Sequence, residues 1–401
     1  MKILVICQYY YPEPFRISDI CERLVKEGHE VQVVTGYPNY PLGELYEGYG
    51  KGKRVDEIIN GVKVHRSFEI PRKKGTINRF LNYYSFPISS SFYVLSKKCK
   101  ASNETQFDLV LCNQLSPVMM AYAAIKYKKK NKVPVIMYCL DLWPESLIAG
   151  GIKRDSLIYK VFLRISKNIY KKMDKIMITS ESFSKYFSGK FGITDTQYLP
   201  QYAESFFKPE NCKKTSDANI DLMFAGNIGK AQNVDIIIEA ARKLKNINNL
   251  KFHIVGDGIS LDKLKSASVD LNNIIFHGRK SVNEMPKYYA MADAMLVTME
   301  KDPIISLTLP GKIQSYMAAG KAIIGSIDGE AKKVIEESGC GLCSEAENVD
   351  DFVTNIKAFI QSGNRNLYEK NSYNFYEKTF SKELFFLNLD KTIKESVNKS
   401  R

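Results

Sequence analysis

Short, unbroken apolar runs alternate with amphipathic stretches along most of the chain. Residues 2–7 predict a strand. Ile17, Ile20, Cys21, Leu24 and Val25 then recur at helical spacing, up to a stop at Gly28. VQVVT at 31–35 predicts the next strand, and further strands are expected at 109–112, 133–139 and 175–179. Strands that are apolar throughout, separated by amphipathic helices, belong to parallel sheets covered on both faces. The pattern restarts at 220–224, with a helix expected at 234–244 and strands at 252–255, 274–277, 294–298, 322–325 and 341–343. A linker near 200–218 carries Pro200, Pro209 and the polar run NCKKTSDAN. The expected organisation is a first α/β domain at 1–200, a second at 201–375 and a tail at 376–401. The tail's amphipathic helix, 382–397, would cross back onto the first domain. Two doubly wound domains of this kind would bind ligands at their strand ends, across a cleft between them.

Composition adds little until charge is considered. At 401 residues two domains are the natural expectation, and 44% apolar content is ordinary for a globular protein. The eight cysteines are scattered, with one C-x-x-C at Cys340 and Cys343, which reads as plain packing in a reduced, cytoplasmic protein. MKILVICQYY has too short an apolar run for a signal peptide, and no 18-residue apolar run is present. Charge, however, is lopsided. Residues 1–200 hold 31 Lys and Arg against 18 Asp and Glu, while the rest holds 27 against 26. The excess on the first half implies a polyanionic partner, either nucleic acid or an anionic membrane surface.

Two segments of the second half suggest phosphate chemistry. SLTLPGKIQSYMAAG at 306–320 reads as a loop, a Pro-Gly turn and a short helix, which places backbone N–H groups and Lys312 at a helix start. LMFAGNIGKAQNVD reads as a strand ending at Ala225. Gly226 then allows close backbone approach, and Asn227, Lys230 and Gln232 can reach a phosphate. Each could instead be an ordinary connection between strand and helix.

The order of segments is recognisable. MKILVICQYYYPEPFR, KEGHEVQVVTGYPNYP, DLWPES, TSESF, LPQYAESFFKP, FAGNIGKAQ, IVGDG, IIFHG, YYAMADAMLV and the 306–320 block resemble, in sequence, the GT-B glycosyltransferases of the family 4 type over nearly the full chain. GYPNYP, DLWPES, GNIGKAQ and P-x-K-x-x-x-Y-x-A-A-G look more narrowly like bacterial surface-polysaccharide transferases, including N-acetyl-L-fucosamine transferases that use a UDP-sugar. The resemblance implies that Asn227 and Gln232 stand where relatives carry an arginine and a lysine on the donor diphosphate. Lys230 and Lys312 would then supply the charge. It implies that the amides of Leu307, Thr308 and Leu309 meet the distal phosphate, with Ser306 in the same donor site, and that the nucleobase rests beside Arg279 and Lys280. The family's E-x7-E pair falls on Leu307 and Ser315, so Ser315, Gln314 and Glu330 are the candidate substitutes on the ribose.

The first half would bind the acceptor. Glu13 and Arg16 stand at the mouth of YYPEPFRIS, and Asp141 ends the strand before LWPES, where relatives have a histidine just ahead, here Leu140. Asp141, Glu13 and Arg16 are therefore the catalytic candidates, the competing reading being helix and turn caps with Trp143 as core. His29, His65, His253 and His277 read as structural. No D-x-D or H-E-x-x-H metal motif is present, so no cofactor is expected beyond the UDP-sugar itself. PRKKGTINRFLNYYSFPISSSFY mixes Arg72, Lys73, Lys74 and Arg79 with Phe80, Tyr83 and Tyr84, a blend that suits an anionic membrane interface. No nucleic-acid motif accompanies the charge.

The resemblance implies a metal-independent, retaining transfer of an N-acetylated amino sugar such as N-acetyl-L-fucosamine. It would pass from a UDP-sugar to a polyprenyl-diphosphate-linked saccharide in capsule or O-antigen synthesis, at the inner face of the cell membrane. The alternatives are a UDP-sugar 2-epimerase on the same fold and a non-catalytic sugar-nucleotide or membrane-binding protein.

Overall fold

The computed structural model describes residues 1–50, 52–71, 75–149, 151–214 and 219–400. They form two compact units. The first contains Met1–Thr179, Ser184–Tyr198 and Leu389–Arg401, and the second Ser180–Phe183 and Leu199–Asn388.

The sheet of the first unit has eight strands: β1 Lys2–Ile6, β2 Glu30–Thr35, β3 Asp56–Ile59, β4 Val62–Arg66, β5 Leu109–Gln114, β6 Val135–Cys139, β7 Lys175–Ile178 and β8 Thr196–Tyr198. Their order is β3-β4-β2-β1-β5-β6-β7-β8, parallel except for β3 against β4. The chain leaves β1 to build one flank with β2 and the other with β5, which makes the end of β1 a topological switch point. Ile3–Ile6 of β1 and Leu109–Cys112 of β5 are apolar and buried on both faces, as the continuous runs require.

The β3–β4 hairpin is absent from the sequence reading. Its signal is Asn60-Gly61, both with positive φ (48° and 85°), the conformation of a type I′ turn between two short strands. β4 alternates buried and less buried residues as a near-edge strand does, so a search for continuous apolar runs passes over it. β8, three half-buried residues, was likewise not expected.

The second unit has six parallel strands: β9 Ile220–Ala225, β10 Leu250–Val255, β11 Ile274–Gly278, β12 Ala294–Thr298, β13 Ala322–Ser326 and β14 Gly341–Ser344. The order is β11-β10-β9-β12-β13-β14, with its switch point at the end of β9. Phe224, Ile236, Ile237, Phe252, Leu296 and Phe352 are among the residues of its core. Strand ends fall within two residues of expectation, and the helix expected at 234–244 spans Asp235–Lys243. The last helix, Lys382–Ser400, starts in the second unit and ends in the first. Among the described residues no helix is long and apolar enough to cross a membrane.

Candidate functional site

The end of β9 is built around backbone proximity. Gly226 donates its N–H to Val255 O, and Ile228 donates to Asp257 O. A Cβ on Gly256, whose φ is +149°, would sit 1.9 Å from Gly226 O, so only glycine lets the β9 and β10 loops lie this close. Beyond the loop the chain makes one 3-10 turn, Lys230–Gln232, and enters the Asp235–Lys243 helix.

The helix Gly311–Ala318 begins beside this loop. Pro310 precedes it and no side chain caps it. Tyr316 anchors it to β9, its hydroxyl accepting from Ala225 N–H at 3.1 Å and donating to Ala225 O at 2.9 Å. One turn earlier, Lys312 lays its stem against the same strand. Its Nζ stands 3.9 Å from the Phe224 ring centroid and is buried with no hydrogen-bond partner. Burial alone lowers its pKa to about 7. Nζ thus stands without a counter-charge near the start of a helix that no side chain caps, beside a glycine loop, a setting in which an anion would be favoured.

The neighbouring candidates are less available. Asn227 Nδ2 donates to Gln232 Oε1 at 3.1 Å, and the Gly229 N–H donates to the same oxygen at 3.2 Å, so the pair standing where relatives carry cations closes the loop on itself. Lys230 is exposed and pairs with Glu300 at 3.4 Å. The expectation for the amides of Leu307 and Thr308 needs correction: with Ser306 they already donate to the carbonyls of Ile304, Ile305 and Asp302 in a tight 3-10 turn, while no such bond engages the Leu309 amide among the described residues. Ser315 Oγ turns back to Gly311 O at 3.4 Å, and the buried Gln314 amide lies 3.0 Å from Pro310 O. Glu330 is committed as well. It is buried, and its carboxylate accepts from the N–H groups of Glu181 (3.0 Å) and Ser182 (3.1 Å), which cluster with this unit. Arg279 is exposed, and Lys280 lies 5.5 Å from the Tyr288 ring.

In the first unit, the strand ends gather polar groups that the sequence distributes widely. Glu13 is buried, and its carboxylate accepts from the N–H groups of Asn39 (2.8 Å), Tyr40 (2.7 Å) and Tyr10 (3.3 Å). It clamps the β1 loop to the β2 loop, so the carboxylate expected at the chemistry is committed to backbone donors; burial raises its pKa against those three donors. Arg16, half-buried, opens the Ile17–Lys26 helix. Asp141 follows β6, and its Oδ2 accepts from the Ser116 hydroxyl, which lies 2.8 Å from Ser146 Oγ. It is a half-buried carboxylate at the β5 and β6 ends. Trp143 is core, stacked edge-on to Tyr83 and Phe162. Glu145 is buried and takes the hydroxyls of Tyr159 (2.7 Å) and Tyr186 (2.9 Å).

One buried acid escaped the sequence reading. Glu69, beyond β4, accepts from Gln8 Nε2 and Asn82 Nδ2, both at 2.8 Å and both on Oε1, and its Oε2 has no partner. Burial pushes its pKa up to about 8. Beside it Arg66 is fully buried, donating to Gly36 O, Tyr11 O and Glu57.

The aromatic segment also needs correction. Arg72, Lys73 and Lys74 lie outside the described residues. On the Thr76–Leu95 helix, Tyr83 is buried, Phe80 packs on Phe162 at 5.8 Å and Tyr84 is half-buried, so these rings face protein. Among the helix residues whose burial is described, the exposed apolar ones are instead Leu81, Ile88, Phe92 and Leu95, one stripe at helical spacing, with Arg79 exposed in the first turn.

Comparison with known proteins agrees with this architecture. Residues 208–378 match the family described as glycosyl transferases group 1, and residues 16–198 match glycosyltransferase family 4. The putative colanic acid biosynthesis glycosyl transferase WcaI of Escherichia coli K12 is 23% identical over 96% of this chain and 97% of its own. The probable glycosyltransferase WbjE of Pseudomonas aeruginosa is 25% identical over 56% of this chain and 58% of its own. HepE of Anabaena, solved in complex with UDP, superposes with a TM-score of 0.70 at 13% identity, covering 98% of this chain and 100% of HepE, a likeness of fold. The chain is a GT-B glycosyltransferase and belongs to glycosyltransferase family 4.

Proposed function

We propose that this glycosyltransferase takes its sugar from a UDP-activated donor held by the second unit. The observation that carries the reading is Lys312, whose Nζ is buried and unpartnered near the start of a helix, against the loop that follows β9. The diphosphate of a nucleotide-sugar has the charge to fill that site, and the lysine and helix start would stabilise the UDP leaving group with no metal required. HepE's complexes with UDP and with UDP-glucose support a uridine nucleotide. The names of WcaI and of the lipopolysaccharide galactosyltransferase WaaB support surface polysaccharide as the product class. Within that class an N-acetylated amino sugar, moved with retention to a polyprenyl-diphosphate-linked saccharide, is the reaction we favour. Asp141, at the strand ends of the first unit, is our candidate on the acceptor side.

The acceptor lipid would bring the enzyme to a membrane. The stripe Leu81, Ile88, Phe92 and Leu95 can rest at an anionic cytoplasmic bilayer surface, with Lys97 and Lys98 exposed just beyond it. The Leu157–Tyr170 helix adds a second face of the same kind, with Leu157, Lys160, Val161 and Arg164 exposed together.

Calorimetric titration with UDP, GDP and ADP in EDTA tests the donor reading. Selective UDP binding is expected; no binding of any nucleotide overturns it. UDP-amino sugars are then assayed against lipid-linked acceptors.

A further inference from the structure

Donor capture by this enzyme is coupled to a proton, and the coupling rests on the donor-site reading above. We propose that Lys312 stands as a neutral amine in a large fraction of the free enzyme, and takes up one proton from solution as the nucleotide diphosphate binds. The proton returns to solution when UDP leaves.

Among the described residues no counter-charge faces Nζ. On one side is the face of the Phe224 ring, and on another is Gly226, where a Cβ would fall 2.9 Å from Nζ. The titratable groups on the surrounding elements are all engaged elsewhere. Tyr316, on the same helix, spends its hydroxyl on the Ala225 backbone, with Tyr289 packed edge-on to its ring. Lys230 and Glu300 pair with each other at 3.4 Å. Asp257, beyond β10, accepts from the Gly258 N–H. Glu369, on the Arg365–Thr379 helix, faces Lys321, and Glu330 is bonded to the Glu181 and Ser182 amides. The Phe224 quadrupole favours the cation, yet desolvation dominates and brings the lysine to about 7.

A diphosphate at the start of the Gly311–Ala318 helix changes that balance. Its oxygens accept from the ammonium and oppose its charge, so the bound lysine titrates well above the free one. Between those two values each binding event takes up a proton. The ring contact gives a reason for the arrangement: before binding, a neutral amine sits on an aromatic face at little cost, and the charge forms only once its partner is present.

The experiment is titration of the full chain with UDP at pH 8.5, in buffers of different ionisation enthalpy. At that pH the terminal phosphate of UDP is already ionised, its second pKa being about 6. The observed enthalpy should change linearly with buffer ionisation enthalpy, with a slope approaching one proton taken up. The dissociation constant should rise up to about tenfold per pH unit above neutrality. Lys312→Arg, which keeps its charge, and Lys312→Met, which never has one, should both lose the buffer dependence. Lys312→Met should in addition bind UDP more weakly, and each variant's thermal melting confirms its fold. UDP binding with no buffer dependence in the wild type, or the same dependence in both variants, overturns the proton coupling alone. No UDP binding at any pH overturns the donor site with it.

Discussion

A Cβ on Gly226 would lie 2.9 Å from Nζ of Lys312 and 3.3 Å from its Cε, so the glycine and the lysine share one space. The residue that follows β9 and the second residue of the Gly311–Ala318 helix are fitted to each other. Gly226 also has a φ of +145°, which side-chain-bearing residues adopt at a cost of about 1–3 kcal/mol. Gly226→Ala should therefore act twice. It should lower the melting temperature by several degrees, and it should displace Lys312 and weaken UDP binding by at least about tenfold, more than the strain alone explains. An affinity equal to wild type would show that Nζ is not where the diphosphate binds.

The buried, unpartnered amine of Lys312 has a stability signature in the absence of nucleotide. An unfolded lysine holds its proton to about 10.4, whereas folded Lys312 releases it near 7. The unfolded chain therefore binds more protons in that window, and this site's contribution to stability rises with pH across it, by up to about 1.4 kcal/mol per pH unit. Below 7 the burial penalty is present in full. Lys312→Met should accordingly be more stable than wild type at pH 6.5, with the gap closing toward pH 9. Parallel melting curves across that range would mean the amine is solvated.

Much of this site was legible, and the reason is local. Pro310-Gly311 marks a turn, the lysine and small residues after it suit a short helix, and β12 and β13 are largely apolar runs. That Lys312 lacks a partner was not legible, because its isolation depends on Phe224 and Gly226, almost ninety positions away. Glu330 looked like a spare carboxylate because its partners, the Glu181 and Ser182 amides, are about 150 residues distant. The clamp on Glu13 likewise depends on backbone donors at 39 and 40, which no side-chain pattern announces. Phe80 and Tyr83 looked like interface aromatics because composition alone does not say which side of a helix is covered. Helical spacing from Leu81 through Phe92 would have.

Glu69 offers the opposite pH test to Lys312. Its pKa is raised to about 8 from an ordinary glutamate value, so between about 4.3 and 8 the folded chain holds a proton that the unfolded chain has lost. Its contribution to stability therefore falls as pH rises through that window. Glu69→Gln keeps an oxygen for Gln8 Nε2 and Asn82 Nδ2 and removes the titration. The variant should match wild type near pH 4.5 and exceed it increasingly toward pH 8, by up to about 1.4 kcal/mol per pH unit. Denaturant melts at three pH values measure this, and a constant difference would place Glu69 in a solvated pocket.

Glu13 should behave as a staple rather than as a base. Glu13→Ala leaves the Tyr10, Asn39 and Tyr40 N–H groups without their acceptor, at about 1–3 kcal/mol for each that stays buried and unpaired. The expected result is a large fall in melting temperature, and the protein that remains folded should bind UDP with wild-type affinity. Asp141→Asn should do the reverse, slowing turnover with the melting temperature kept within a few degrees. A Glu13→Ala variant that is stable yet inactive would return Glu13 to the chemistry.

The membrane reading separates two neighbouring sets of side chains on one helix. Phe92 is 74% exposed and Ile88 55%, while Tyr83 is 7% exposed and packs on Trp143. If the exposed stripe enters the headgroup region, Ile88→Ser with Phe92→Ser removes about 1.5–3 kcal/mol of apolar burial for each side chain. Partition onto vesicles containing anionic lipid should then fall by at least tenfold, with the fold intact. Tyr83→Ser should instead destabilise the first unit. Because the flanking lysines contribute through charge, wild-type partition should also weaken as salt is raised from 50 mM to 500 mM. Co-sedimentation that ignores both the double substitution and the salt would show that the stripe does not contact lipid, whatever brings the acceptor to the enzyme.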